Sequence, residues 1–107
     1  MPINQRNKGR AGEQEIVRIF KQEGYEEAER GWQSRGGGED NADVNGIPGV
    51  HVEVKRTERF EPYNWLAQAQ RDAGQDRLPV VLHRRNRQPW MAIMPLEFFL
   101  KLMKERT

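Results

Sequence analysis

The stretch VHVEVKR, Val50 to Arg56, sets the strongest constraint on what this chain can fold into. Valines at 50, 52 and 54 alternate with His51, Glu53 and Lys55. Successive side chains of a strand point to opposite faces, so this period of two gives one apolar face and one polar face. A second stretch, LPVVLHR at 78–84, is a continuous apolar run and reads as a buried strand. Between them Trp65, Leu66, Ala69 and Ala73 recur at helical spacing, with Pro62 suited to the first helical position and Gly74 near the stop. A helix between two such strands permits a parallel crossover, so a mixed sheet flanked by helices is predicted.

The rest of the chain fills in around this unit. Residues 1–8 are polar and read as flexible. Gly9 to Glu23 reads as a helix with Ile16, Val17, Ile19 and Phe20 as its apolar stripe and Gly24 as its stop. A strand is placed around Ala28–Gln33, a glycine-rich loop at 33–41, and a short strand at Ala42–Asn45. Asn45-Gly46 and Pro48-Gly49 turn the chain, so 42–56 reads as a hairpin. After a turn at 86–89, residues 90–94 form another strand, and Pro95 opens a last helix with Leu96, Phe99, Leu100 and Met103 as its apolar face. The predicted order is α-β-β-β-α-β-β-α within one domain, 1–107.

The chain holds no cysteine, which excludes disulfides, zinc-thiolate sites and thiol nucleophiles and fits a reducing cytoplasm. No apolar run is long enough to span a membrane, and the polar, basic start is not read as a secretory signal. The formal net charge of +2 divides unevenly: residues 1–49 carry seven Lys/Arg against nine Asp/Glu, and residues 50–107 carry eleven against seven. Arginine outnumbers lysine thirteen to five. Guanidinium groups make bidentate contacts with phosphate and stack on bases, so this surface suits a nucleic-acid partner or simply a mixed, soluble exterior.

Glu-x-Lys alone carries almost no weight in a chain with twelve Glu and five Lys. Its context counts for more. Glu53 and Lys55 share a strand face one turn after Asp43, so Asp43 and Glu53 can converge at one end of the hairpin. Two close carboxylates repel each other unless a cation sits between them. Mg²⁺ is typically held by one or two carboxylates, waters and substrate phosphate oxygens. Lys55, on the same face, is placed to hold an attacking water and offset charge on a phosphate. The competing reading is a solvated hairpin face. His51 and His83 read as ordinary polar surface and structural residue respectively. Phe60, Tyr63 and Trp65 are candidates for stacking on bases or for packing the second helix.

These pieces resemble the PD-(D/E)XK nuclease superfamily and, within it, archaeal-type and phage Holliday-junction resolvases. The resemblance rests on Lys8-Gly9-x-x-x-Glu13, Ser34 with its glycine loop, Ala42-Asp43-Val44, Val52-Glu53-Val54-Lys55-Arg56, a glutamine in WLAQAQ, and LPVVLHR. It spans roughly 8–94, with Ala42 where the family usually has proline. The resemblance implies a restriction-endonuclease-like αβββαβ core with an added strand and a C-terminal helix. It implies Asp43 and Glu53 as metal ligands with the Val54 carbonyl, Lys55 as the residue activating water, and Glu13 at a second metal or its water shell. Gln68 would orient Lys55 or the scissile phosphate. Gln70 competes with Gln68, and Asp40 with Asp43. Lys8, Arg10, Ser34, Arg35, Arg56 and Arg84 are the implied DNA contacts, which set affinity and salt dependence but carry no sequence information.

The implied activity is Mg²⁺-dependent hydrolysis of phosphodiester bonds in DNA, with Mn²⁺ as a substitute, by a homodimer that resolves four-way junctions in the cytoplasm, the host's if the chain is phage-encoded. Alternatives are another nuclease on the same scaffold (nicking, repair or restriction type) or a non-catalytic DNA-binding module.

Overall fold

A computed structural model of the chain describes residues 5–31 and 42–106, with the backbone alone at 5 and 6. The elements run α1 (Gln5–Gln22), β1 (Glu29–Arg30), β2 (Val44–Asn45), β3 (Val50–Arg56), α2 (Pro62–Ala73), β4 (Leu78–Arg84), β5 (Met91–Ile93) and α3 (Leu96–Lys104). This is the order read from the sequence, and β3 and β4 have the bounds read for them.

Helix α1 starts at Gln5, so residues 5–8, expected to be flexible, are helical. Gln, Arg and Lys are good helix formers, and the apolar periodicity that marks a helix is silent over a turn that carries no apolar residue. On α1, Ile16 is buried and Val17 and Phe20 pack beside it, but Ile19 is exposed. The helix ends as its glycine suggested. Gly24 has φ +102°, its N–H donates to the Lys21 carbonyl, and the Tyr25 N–H donates to the Phe20 carbonyl. The Tyr25 ring then packs edge-on against Phe20 at 5.5 Å. Both bonds and the contact define a Schellman cap.

The five strands form one sheet in the order β1-β2-β3-β4-β5. Among the described residues only β3 and β4 are parallel, paired from Val50–Leu78 through Arg56–Arg84, with α2 as the crossover. The hairpin β2–β3 pairs Val44 with Val52, and β5 returns antiparallel to β4. Strand β1 is shorter than expected. Gly31 extends its pairing by donating its N–H to the Asp43 carbonyl at 2.8 Å, while Trp32 and Gln33 lie outside the described residues. A side chain at Gly31 would run into the Ala42 carbonyl, so glycine is required for this approach.

Two small cores sandwich the sheet. On one face Ile16 of α1 meets Ala28, Val44, Ile47, Val52, Val54 and Val80. On the other, Trp65 and Ala69 of α2 cover Val81. The valines of β3 therefore face α1 as their period predicts. The opposite face is not wet, however: α2 roofs it, leaving His51 fully buried and Glu53 only 5 % exposed. Helix α3 departs further from expectation. Its Leu96, Phe99, Leu100 and Met103 stripe is exposed, and none of its residues is buried. Among the described residues no helix is long and apolar enough to cross a membrane.

Candidate active site

The hairpin register creates the site. Because Val44 pairs with Val52, Asp43 falls opposite Glu53 across the β2–β3 ladder. Asp43 is fixed at both ends: its N–H donates to the Val52 carbonyl at 2.9 Å, and its Oδ2 accepts the Val54 N–H at 2.7 Å. Its carboxyl is also hydrogen-bonded to that of Glu53. Burial first, then the charge of Glu53, pushes Asp43 from 3.8 up to about 8; the Val54 N–H opposes this, while Glu13 adds to it. Desolvation and like charge both disfavour the ionised acid, so Asp43 keeps its proton through neutral pH. The convergence expected of Asp43 and Glu53 is present, and Glu13 of α1 contributes its field to the same point.

Glu53 has a second partner. His51 donates Nε2–H to Glu53 Oε1 at 2.7 Å, both side chains being buried. The carboxylate of Asp72, on the last turn of α2, completes a group in which one donor atom from each residue lies within 4.8 Å of the others. The sequence puts His51 on the face of Glu53 and Lys55 yet favours polar surface for it, and it does not single out Asp72. The signal lay in His51-x-Glu53, since residues two apart on a strand share a face. Arg30 was also missed. Its Nε donates to Glu13 Oε1 at 3.0 Å, so β1 fixes the acid of α1 beside the hairpin.

Lys55 lies two residues beyond Glu53 on the same face, half-buried and without an ion pair among the described residues. Helix α2 buries Trp65, Ala69 and Ala73. Gln68 and Gln70 are both exposed and flank that buried stripe on opposite sides. Gln68 precedes Asp72 by four residues and so shares its side of the helix. Asp72 faces Glu53, which places Gln68 on the flank nearer the acids.

The arginines and lysines divide by environment. Lys8 and Arg56 line one groove between α1 and the end of β3, together with Gly12 and Glu15. Arg56 reaches Asn86 Oδ1 at 2.9 Å. Arg10 is exposed on α1. Arg84 is engaged inside the fold: Nη1 donates to Glu15 Oε1 and Nε to the Gln88 carbonyl, each at 2.7 Å. The Trp90 indole donates to the same Glu15 oxygen at 2.9 Å. Ser34, Arg35, Asp40 and the glycine loop lie outside the described residues. Of the aromatic trio, Trp65 packs α2 onto the sheet, Phe60 is 45 % exposed and Tyr63 is 89 % exposed.

One family model, described as "Phage putative PDDEXK endonuclease", matches residues 4–107 of the chain. No curated protein and no solved structure matches it.

Proposed function

Because the chain belongs to the phage PDDEXK endonuclease family, we propose that it is a Mg²⁺-dependent endonuclease that hydrolyses phosphodiester bonds in branched DNA, four-way junctions above all. One observation carries the reading: the Asp43 and Glu53 carboxyls meet in a desolvated place, where burial and the charge of Glu53 push Asp43 up to about 8, with Lys55 two positions further along the same strand face. This donor set fits a hard divalent ion. It offers carboxylate oxygens, a backbone carbonyl at Val54 and no sulfur, and such an ion takes waters and substrate phosphate oxygens for the rest of its shell.

A divalent cation bound there supplies Lewis-acid stabilisation of the phosphate and lowers the pKa of the attacking water. The residues of the chain do the rest. Asp43 and Glu53 hold the ion, and His51 fixes the orientation of Glu53 through its Nε2–H, as outer partners of ligating carboxylates do. Lys55 orients the water and offsets charge that builds on the phosphate oxygens. Gln68 positions Lys55 or the phosphate. Glu13, held by Arg30, serves the water shell or a second ion. Lys8, Arg10, Ser34, Arg35 and Arg56 take the DNA backbone, and Arg84 stiffens that surface through Glu15. In-line attack leaves a 5′-phosphate and a 3′-hydroxyl. The site of action is the cytoplasm of a phage host.

A four-way junction needs two symmetrically placed cuts, which a two-fold homodimer supplies. The uncovered apolar stripe of α3 favours a dimer, since such a stripe is normally buried against something. The deciding assay incubates the protein with a synthetic four-way junction, a linear duplex and a single strand, with Mg²⁺ or chelator. Paired symmetric cuts confined to the junction support resolution. Equal cutting of every duplex replaces it with a general nicking, repair or restriction-type activity. Tight junction binding without cutting leaves a binding module.

A further inference from the structure

One cleft lies beside the site but outside the roles assigned so far. Phe60, His83, Arg85, Gln88, Pro89 and Met91 line a cavity of about 190 Å³. In the parallel register His83 is the partner of Lys55, so it stands on the neighbouring strand, about 4.8 Å away, with its side chain on the same face. The cleft therefore opens one strand beyond the lysine proposed to face the reacting phosphate.

Its walls are flat and fixed. Phe60 packs edge-on against Trp65 at 6.0 Å and tilts against His83 at 5.3 Å. Trp65 in turn lies 5.0 Å from His83. His83 donates its Nε2–H to the Thr57 carbonyl at 2.9 Å, so the loop after β3 anchors the inner ring. Phe60 nevertheless remains 45 % exposed. Packing that pins an aromatic ring without covering it removes the ordering cost from whatever stacks there. The rim is cationic. The Arg85 guanidinium lies over the Phe60 ring, 5.5 Å from its centroid, so a stacking base takes its place on that face or uses the other; it is tethered through Nε to the Glu58 carbonyl at 3.0 Å and makes no ion pair among the described residues. Gln88 brings an amide, which both donates and accepts.

An apolar aromatic wall, a guanidinium with no carboxylate partner among the described residues and one amide match a planar heterocycle joined to a phosphate. A base pair within a duplex offers no exposed ring face, and the cavity has room for one ring system. We propose that this cleft seats a single unpaired nucleobase next to the reacting phosphate, stacked on Phe60 with its phosphate toward Arg85, so that the preferred DNA carries an unstacked nucleotide there. The proposal rests on the nuclease reading for its ligand class, DNA, and narrows that class to branch points, bulges, flaps and single-stranded ends.

The test uses two duplexes of equal length in chelator, one with a single bulged nucleotide and one fully paired, each with 5-iodouracil at the same position. Fluorescence anisotropy gives the affinity ratio, and irradiation followed by mass spectrometry locates the crosslink. The bulged duplex is expected to bind about ten-fold more tightly, as suits one base stacked on an aromatic ring, and to crosslink to Phe60 or Met91. Phe60→Leu keeps an apolar group against Trp65 and His83 but removes the aromatic face; it should bring the ratio close to one, and Phe60→Trp should restore it. Circular dichroism melts confirm that both variants are folded. Equal affinity for the two DNAs, an unchanged ratio in Phe60→Leu, or a crosslink mapped elsewhere overturns the proposal. If the cleft alone is misread, both DNAs still bind and are cut with Mg²⁺; if neither DNA binds, the nuclease reading falls with it.

Discussion

At the scale of the residue, Asp43 holds the most chemical information. Burial and the charge of Glu53 push its carboxyl from an ordinary 3.8 up to about 8. The folded state therefore binds a proton that the unfolded chain has already released. Between these two values stability falls as pH rises, by up to about 1.4 kcal/mol per pH unit for one such group. Asp43→Asn removes the ionisation and retains a side-chain oxygen to accept the Val54 N–H. It should melt at a higher temperature than the wild type at pH 8.5 in chelator while losing cleavage, and the gain should vanish at pH 4. A thermal melt across that range checks it, and a variant less stable than wild type at pH 8.5 would falsify the buried-pair reading. Cation binding has the opposite sign. It needs the carboxylate, so it should release protons below about pH 8 and raise the melting temperature most at alkaline pH. Calorimetry in two buffers of different ionisation enthalpy counts those protons. Lys55→Ala tests a different role: it should abolish cleavage with DNA binding kept and the cation-induced rise in melting temperature intact.

At the scale of the element, the site depends on how closely α1 approaches β3. A methyl group on Gly12 would lie 2.7 Å from the Arg56 Cβ, an atom fixed to the strand backbone, and 3.5 Å from Trp90. Gly12→Ala gains about 0.8–1 kcal/mol of helix propensity, whereas overpacking costs about 1–3 kcal/mol. The clash should prevail: the variant loses roughly 1 kcal/mol in denaturant melts and carries Glu13 away from the hairpin. A more stable variant would show that the contact relaxes freely. The β4–β5 turn gives a second case. Arg87 sits at φ +63°, a conformation suited to glycine. A DNA phosphate contact by its side chain would offset that strain. Arg87→Gly should leave stability level or up to about 1 kcal/mol higher, yet lower the salt slope of log K for DNA by about 1. These elements differed in how plainly they could be read. Strands β3 and β4 were legible to the residue because alternation and unbroken apolarity are encoded locally. The Gly24 stop was legible because a left-handed cap has its own residue preference. The burial of His51 and Glu53 was not, since a polar strand face looks the same under water and under a helix. Only the crossover decides which it is, and α2 itself reveals through Trp65, Ala69 and Ala73 that it covers something. The pairing of Glu13 with Arg30 was equally hidden, because β1 is two residues long and has no period to read.

At the scale of the whole molecule, the question is what covers α3. Leu96, Phe99, Leu100 and Met103 form its apolar face, yet among the described residues both cores form without it: the α1 face closes on Val52 and Val54, and the α2 face on Val81. Each large side chain left in water forgoes about 1.5–3 kcal/mol that burial would return. Four of them on one helix make a costly surface for an isolated chain. A second copy is the partner that the proposed chemistry already requires, because two symmetric cuts need two sites and a two-fold contact presents the same stripe from each side. The wild type should therefore sediment as a dimer at micromolar concentration. Leu100→Asp combined with Phe99→Asp should convert it to a monomer with an unchanged circular dichroism spectrum, because neither residue is buried within its own fold. The monomer keeps Asp43, Glu53 and Lys55, so it should retain nicking of single strands of a junction and lose paired symmetric cuts. A wild-type monomer at that concentration removes the resolvase reading and leaves a nicking or repair nuclease. A dimer that survives the double substitution moves the interface elsewhere and leaves the α3 stripe without its partner.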